Sequence, residues 1–350
     1  MPPIYFVIPG DLNSRTGGYI YDKRVIEGLR SLGQDVEVVT LGGNFPFLST
    51  KEKESAEQVF ENLPDEAICV ADGLAFGALP EMAERHGDRI VFIALVHHPL
   101  AIETGLTEAD KKRFLDSERR ALRMAQGVIT TSAHTADNMQ PYGVTKERLS
   151  VCTPGVDAAP QAIGSQTESV NLLCVATLTP RKGYDTLIKS LAVLRNMPWQ
   201  LTCVGSLDRS LPTTKLIRDL IRELDLEDRV RLAGECSEAE LSGHYHRSDL
   251  FVLASHYEGY GMALAEALVR GIPVIATAAG AIPHTVPPKA GLLVSPGDQA
   301  AFTAALSSYF ENSAMRRSLV AGGQASRESF PTWDEAAATF SNALRRFAEL

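Results

Sequence analysis

Leu250-Phe-Val-Leu-Ala-Ser255-His-Tyr-Glu258-Gly-Tyr-Gly261-Met-Ala-Leu-Ala-Glu266-Ala-Leu268 passes from an apolar run, through a loop with two glycines, into a stretch of helix formers. A short run of strand-forming residues, a glycine turn and a helix in that order make half of a βαβ unit. Gly259 and Gly261 flank the turn, where a backbone without Cβ can come close to a ligand. The unsatisfied N–H groups of the helix that starts near Met262 favour an anion. Glu258 then lies in the loop, and Glu266 lies about a turn and a half inside the helix. Two carboxylates that face one site can each bind a pair of sugar hydroxyls.

The same unit recurs outward from this stretch in both directions. Towards the N-terminus, Leu172–Ala176, Gln200–Val204 and Val230–Leu232 read as strands; towards the C-terminus, Val274–Ala276 and Leu292–Val294 do. The first half repeats the pattern with Ile4–Ile8, Val36–Thr40, Cys69–Ala71, Ile90–Val96, Val128–Thr131 and Leu149–Cys152, and with a helix from about Tyr19 to Leu32. Apolar runs alternating with amphipathic helices imply parallel sheets covered on both faces. The alternation breaks over Asp157–Ser169, where Pro160, Gly164, Ser165, Gln166 and Thr167 make a polar linker. The expected organisation is therefore two doubly wound domains, 1–163 and 164–329. A last amphipathic segment, 330–350, contains a helix from Trp333 that should pack on the first domain.

Composition narrows the function. The chain has 350 residues, 45% apolar and 22% charged, which suits two soluble α/β domains. A net charge of −9 argues against a basic surface for nucleic acid. The N-terminus lacks a basic n-region, so Ile4–Ile8 reads as a first strand and not as a leader. No segment has the length of a membrane span. Five cysteines without a C-x-x-C pair fit a reducing, cytoplasmic compartment.

In doubly wound folds, ligands sit beyond the carboxyl ends of the strands, and four further stretches fall there. Gly17 and Gly18 lie in the turn between the first strand and its helix, without the G-x-G-x-x-G spacing of dinucleotide folds. His97 and His98 end an apolar strand, where a histidine can donate a hydrogen bond or carry a proton. Adjacent residues point to opposite faces, so one histidine should meet the cleft and the two make poor joint metal ligands. Pro180-Arg181-Lys182-Gly183 follows the first strand of the second domain, where Lys is a point charge for phosphate and Arg a fork. The turn around Gly280 is the last.

Taken together, Gly17-Gly18, His97-His98, Thr153-Pro154-Gly155-Val156-Asp157, Pro180-Arg181-Lys182-Gly183, Glu258 with Glu266, and Gly291-Leu-Leu-Val-Ser-Pro-Gly-Asp298 occur in an order that resembles the retaining GT-B glycosyltransferases of the group 1 (family 4) type. The resemblance covers nearly the whole chain. It implies a GT-B-like α/β fold of two Rossmann-type domains facing a cleft, with the C-terminal helix crossing back to the first domain. It further implies a nucleotide-sugar donor on the second domain, with a UDP-sugar preferred, and an acceptor of unspecified kind on the first. In that scheme Lys182 grips the donor diphosphate, Glu266 the ribose and Glu258 the transferred sugar. The backbone of Gly259, Tyr260, Gly261 and Met262 covers sugar and phosphates. His97 or His98 touches the sugar, and Gly17-Gly18 lies beside the phosphates. No metal or other cofactor is implied. Many relatives carry Gly-Arg where this chain has Ala176-Thr177, and Arg181 is the residue that could replace the missing phosphate contact.

Two other classes fit part of this pattern: a GT-B-fold nucleotide-sugar epimerase, and a non-catalytic nucleotide-sugar-binding subunit. A basic helix with Lys111, Lys112, Arg113, Arg119, Arg120 and Arg123 also suggests peripheral contact with an anionic membrane at its inner face.

Overall fold

Strands and helices alternate through the whole computed structural model, which describes residues 2–349. The chain forms two units, each built on a six-stranded parallel sheet. The first holds β1 (Ile4–Pro9), β2 (Val36–Leu41), β3 (Ile68–Asp72), β4 (Val91–Val96), β5 (Gly127–Thr130) and β6 (Leu149–Val151), in the order β2-β1-β3-β4-β5-β6. The second holds β7 (Val170–Val175), β8 (Trp199–Val204), β9 (Val230–Gly234), β10 (Leu250–Leu253), β11 (Val274–Thr277) and β12 (Gly291–Val294), in the order β12-β11-β10-β7-β8-β9. Every expected strand is present, with ends within two residues of those read from the sequence. The reason is visible in burial: all five residues of β3 and all four of β10 are buried. Strands covered on both faces leave continuous apolar runs in the sequence.

The division between the units falls at Gly155/Val156, not at 163/164. The polar stretch is tied to the second unit by its backbone. The N–H groups of Ala162 and Ile163 donate to Arg270 O and His246 O, both at 2.9 Å. Ser165 N–H donates to Asp249 Oδ1 at 3.1 Å, and Arg327 donates to Ala159 O at 2.9 Å. Val156 packs against Ala265 and Val269. Main-chain hydrogen bonds leave little trace in composition, so the stretch looked like a free linker.

From Pro331 on, the chain belongs to the first unit. The helix Trp333–Ala348 starts with a capping box. Glu335 N–H donates to Thr332 Oγ1 at 3.2 Å, and Thr332 N–H donates back to Glu335 Oε2 at 2.8 Å. Its buried face is Ala336, Ala337, Phe340, Ala343, Leu344 and Phe347, a helical stripe. It lies on the helix Gly17–Ser31 so closely that a Cβ on Gly28 would stand 2.4 Å from Ala337 Cβ. Phe340 stacks on Phe6 of β1 with ring centroids 6.3 Å apart.

Phe340 is fully buried, so Phe340→Ala should cost about 3–5 kcal/mol in urea unfolding. The neighbouring exposed substitution Asn342→Ala should stay within about 0.5 kcal/mol of wild type. Equal losses in the two variants would contradict this docking.

Candidate active site

In the second unit, β7 pairs with both β10 and β8, so the strand order reverses between β7 and β10. A crevice opens at the carboxyl ends of two strands that leave such a switch point in opposite directions. The loops after β7 and β10 meet there. Lys182 Nζ donates to Glu258 Oε1 at 2.6 Å, Ser255 Oγ donates to the same oxygen at 2.6 Å, and Arg181 NH1 stands 3.7 Å from Glu258 Oε2. Arg181 also bridges the loops through its backbone and its fork: its carbonyl accepts from His256 N–H at 2.7 Å, and NH1 donates to Tyr257 O at 2.9 Å. The side chain is therefore turned into the β10 loop. Thr177 lies two residues beyond the end of β7, in the loop that leads to this turn.

Two glycines allow the approach. Gly183 has φ +61°, and a Cβ there would stand 2.0 Å from Ala254 O. Gly280 has φ +57°, and its Cβ would stand 2.2 Å from Glu258 O. Ala281 N–H donates to that carbonyl at 2.9 Å, so the turn after β11 pins the backbone of Glu258.

Glu258 is buried, 6% exposed. Burial works to raise its pKa, but Lys182 and Arg181 outweigh it and the carboxyl sits below its ordinary value. Burial also works against the Lys182 charge. There it prevails, because one carboxylate attracts the ammonium while Arg181 repels it, and the pKa is lowered. The cluster carries two cations on one carboxylate. Glu266 is held separately. It accepts from Tyr245 OH at 2.8 Å, and burial raises its pKa. Arg270 stacks over the Tyr245 ring at 4.5 Å and donates to Glu266 O at 2.8 Å. Gly259 and Tyr260 lie in the loop, and Gly261, at φ +90°, caps the helix Met262–Val269. Tyr260 O accepts from Thr285 Oγ1 at 2.6 Å.

In the first unit the strand order turns between β1 and β3, and the histidines follow β4 beside them. His97 Nε2 faces Asp22 Oδ1 at 3.0 Å and Asp72 Oδ2 at 3.5 Å. His98 Nε2 faces Glu103 Oε2 at 3.1 Å. The two rings thus diverge, as alternation implies, and only His97 joins a buried cluster. A Cβ on Gly18 would be in van der Waals contact with the His97 ring, at 3.5 Å; Gly17 and Gly18 open the helix Gly17–Ser31 and do not lie in the turn before it, so the start of that helix packs on the ring. Asp22, Asp72 and His97 are the one group of three such side chains among the described residues whose ligand atoms lie within 4.8 Å of one another. The 3.0 Å contact is a hydrogen-bond distance and a proton on Nε2 satisfies it, so no metal is assigned here.

The comparisons with known proteins agree with this architecture. The model described as glycosyl transferases group 1 matches residues 156–326, and that of glycosyltransferase family 4 matches residues 68–159. The chain belongs to the group 1 glycosyltransferases. It is 29% identical over 229 residues to a D-inositol 3-phosphate glycosyltransferase of Kineococcus radiotolerans, covering 58% of this chain and 52% of that protein. The chain thus spans about half the length of that curated relative. In fold it is similar to sucrose-phosphate synthase from Thermosynechococcus elongatus, with a TM-score of 0.83 and 20% identity over 99% of this chain and 98% of that one. It is also similar to Anabaena HepE in complex with UDP and glucose, with a TM-score of 0.76 and 18% identity over 98% and 99%. The fold is GT-B.

Several residues of these two clusters escaped the sequence reading, and two had left a signal. Asp22 shares a helical stripe with Val25, Ile26 and Leu29, all buried, and is the only charge on it. Asp72 ends the apolar run Ile68-Cys-Val-Ala-Asp72, which had been cut at Ala71. Glu118 stands among the basic residues of the helix that holds Lys111–Arg123. It is in fact 4% exposed and accepts from the N–H groups of Leu100 and Ala101 at 2.7 and 3.2 Å, which anchors the histidine loop. On that helix, Glu108–Met124, Lys111 pairs with Glu108, Arg113 with Asp110, Arg119 with Asp116, and Arg120 with Glu81 and Glu84. Local carboxylates answer those four charges, which leaves less for an anionic membrane. No helix among the described residues is long and apolar enough to cross one.

Burial lifts the Glu118 pKa to about 7, against the pull of the two N–H groups. The folded state then holds a proton more tightly than the unfolded state, so stability falls as pH rises from the ordinary carboxyl value towards 7. Glu118→Gln should remove that fall. Denaturation of both proteins at pH 4.5 and 8 should show the variant gaining on wild type by up to about 2–3 kcal/mol. A parallel pH course would mean that Glu118 is ionised without cost.

Proposed function

We propose that the protein transfers a sugar from a nucleotide-sugar donor to a glycan, lipid or small-molecule acceptor, with retention of anomeric configuration. The observation that supports this best is the Arg181–Lys182–Glu258 cluster at the switch point of the second unit, two half-buried cations on a buried carboxylate. An ammonium has three donors, so Lys182 can keep Glu258 and still bind the donor diphosphate, with Arg181 beside it. Glu266 takes the ribose hydroxyls and Glu258 those of the transferred sugar. The loop backbone at Gly259, Tyr260, Gly261 and Met262 follows the sugar and phosphates. His97 takes part in the transfer step, with Gly17-Gly18 against its ring; His98, paired to Glu103, is the weaker candidate. The positive charge needed by the leaving diphosphate comes from Lys182, Arg181 and the helix starts, so the scheme calls for no metal. In a front-face reaction the leaving phosphate oxygen takes the acceptor's proton as the new glycosidic bond forms. A UDP-sugar is the preferred donor, in keeping with the UDP and glucose named for the Anabaena neighbour. The five cysteines, none of them in a disulfide among the described residues, fit action in the cytoplasm.

A thermal-shift screen of UDP-, GDP-, ADP- and dTDP-sugars should single out one base, because a ligand that binds the native state raises its melting temperature. Lys182→Ala and Glu266→Ala should each weaken donor binding by about 1.5–3 kcal/mol, and Lys182→Ala should also weaken the free nucleoside diphosphate. Unchanged affinity in both folded variants would refute the donor site. With an α-linked donor the product should be α-linked by NMR. Isomerised donor in the absence of acceptor would favour an epimerase, and binding without turnover across many acceptors a binding subunit.

A further inference from the structure

Three side chains from three elements of the first unit converge beyond the carboxyl end of its sheet. Asp22 comes from the helix Gly17–Ser31 and is fully buried, Asp72 ends β3 and is 5% exposed, and His97 follows β4. Asp72 divides its oxygens: Oδ1 accepts from Leu74 N–H at 2.7 Å, capping the next helix, while Oδ2 faces His97. Asp22 gives Oδ1 to His97, and its buried Oδ2 has no hydrogen-bond donor. A further titratable group against the ring is Tyr21, whose ring meets His97 edge-on at 5.4 Å and whose OH donates to Cys152 O at 2.8 Å. Burial pushes the Tyr21 pKa up, so it stays neutral. With Gly18 on another side, the imidazole is wedged with Nε2 turned towards the carboxylates.

Two carboxylates buried around a neutral imidazole would lack a compensating charge, and an unpaired buried ion costs several kcal/mol. A proton on both ring nitrogens supplies that charge. We propose that Asp22 and Asp72 are positioning residues that hold His97 as an imidazolium with Nε2–H directed inward, so that the group it offers to substrate is the Nδ1–H of a permanent cation. Burial lowers the His97 pKa, but the two carboxylates outweigh it and hold it up at about 10. Asp22 itself is raised by burial to about 6, with Asp72 adding to the rise and His97 opposing it.

Together with the proposed transfer reaction, on which its catalytic part rests, this fixes the role of His97. A histidine protonated throughout the neutral range cannot take the acceptor's proton. It can stabilise negative charge and hold a sugar oxygen.

The test is to follow the imidazole nitrogens of 15N-histidine-labelled full-length protein by NMR without substrate, with His97→Gln assigning the signal. In wild type both His97 nitrogens should stay protonated to about pH 9, well above the ordinary value of about 6.5. In Asp22→Asn, and in Asp72→Asn should the first fail to fold, the midpoint should fall by two pH units or more. Turnover of that variant should then drop roughly tenfold per pH unit above the new midpoint, while wild type stays level and KM changes little. A wild-type midpoint near 6.5, or one unmoved in both variants, would overturn the proposal. So would a variant whose midpoint falls while its turnover keeps the wild-type pH course. Absence of transfer from every donor would instead defeat the proposed function, and the NMR titration would still decide the charge on His97.

Discussion

Glu258 is a carboxylate buried where water cannot solvate it, and the active face of the second unit is arranged around that fact. A buried ion is tolerated only when opposite charge and hydrogen bonds stand beside it. Lys182 and Arg181 supply the charge, Ser255 a hydroxyl, and the turn at Gly280 fixes the backbone. These partners come from the carboxyl ends of three strands, so the residue also fixes how the loops after β7, β10 and β11 stand relative to one another. Gly183 and Gly280 follow from it, because a side chain at either would strike a carbonyl the arrangement needs.

The first unit has a related construction with the opposite balance. Its switch-point cluster sets two carboxylates around one imidazole, where the second unit sets two cations around one carboxylate. An excess of positive charge suits an anionic diphosphate. An excess of negative charge raises the proton affinity of a histidine and fixes its orientation. In the first unit Asp72 ends β3, Asp22 lies on a helix and His97 follows β4, while in the second the charges sit on the loops after β7 and β10.

The terminal helix joins this arrangement from a distance in sequence. Its aromatic residues complete the face of the first sheet, Phe340 on Phe6 and Phe347 on Gly127, where a Cβ would stand 2.2 Å from the ring. Trp333 meets Tyr21 edge-on at 6.2 Å, and Tyr21 in turn meets His97. The helix start is thus two aromatic contacts from the histidine.

The sequence by itself determined the alternation of strands and helices, because strands buried on both faces must be continuously apolar and their helices amphipathic. It also determined which loops hold Lys182, Glu258 and His97, since a charged or glycine-rich stretch after such a strand falls at the ligand-binding edge. Asp22 and Asp72 were legible in principle, as single charges on an apolar stripe and at the end of an apolar run. Tertiary structure alone decided the partners. That Lys182 meets Glu258 across 76 positions, that Arg181 turns inward, that Glu118 is buried under the histidine loop and that residues 156–163 run with the second unit all depend on strand order and main-chain hydrogen bonds. Neither leaves a local pattern, because contacts between residues far apart in the chain are set by which strands become neighbours and not by the residues' own surroundings in sequence.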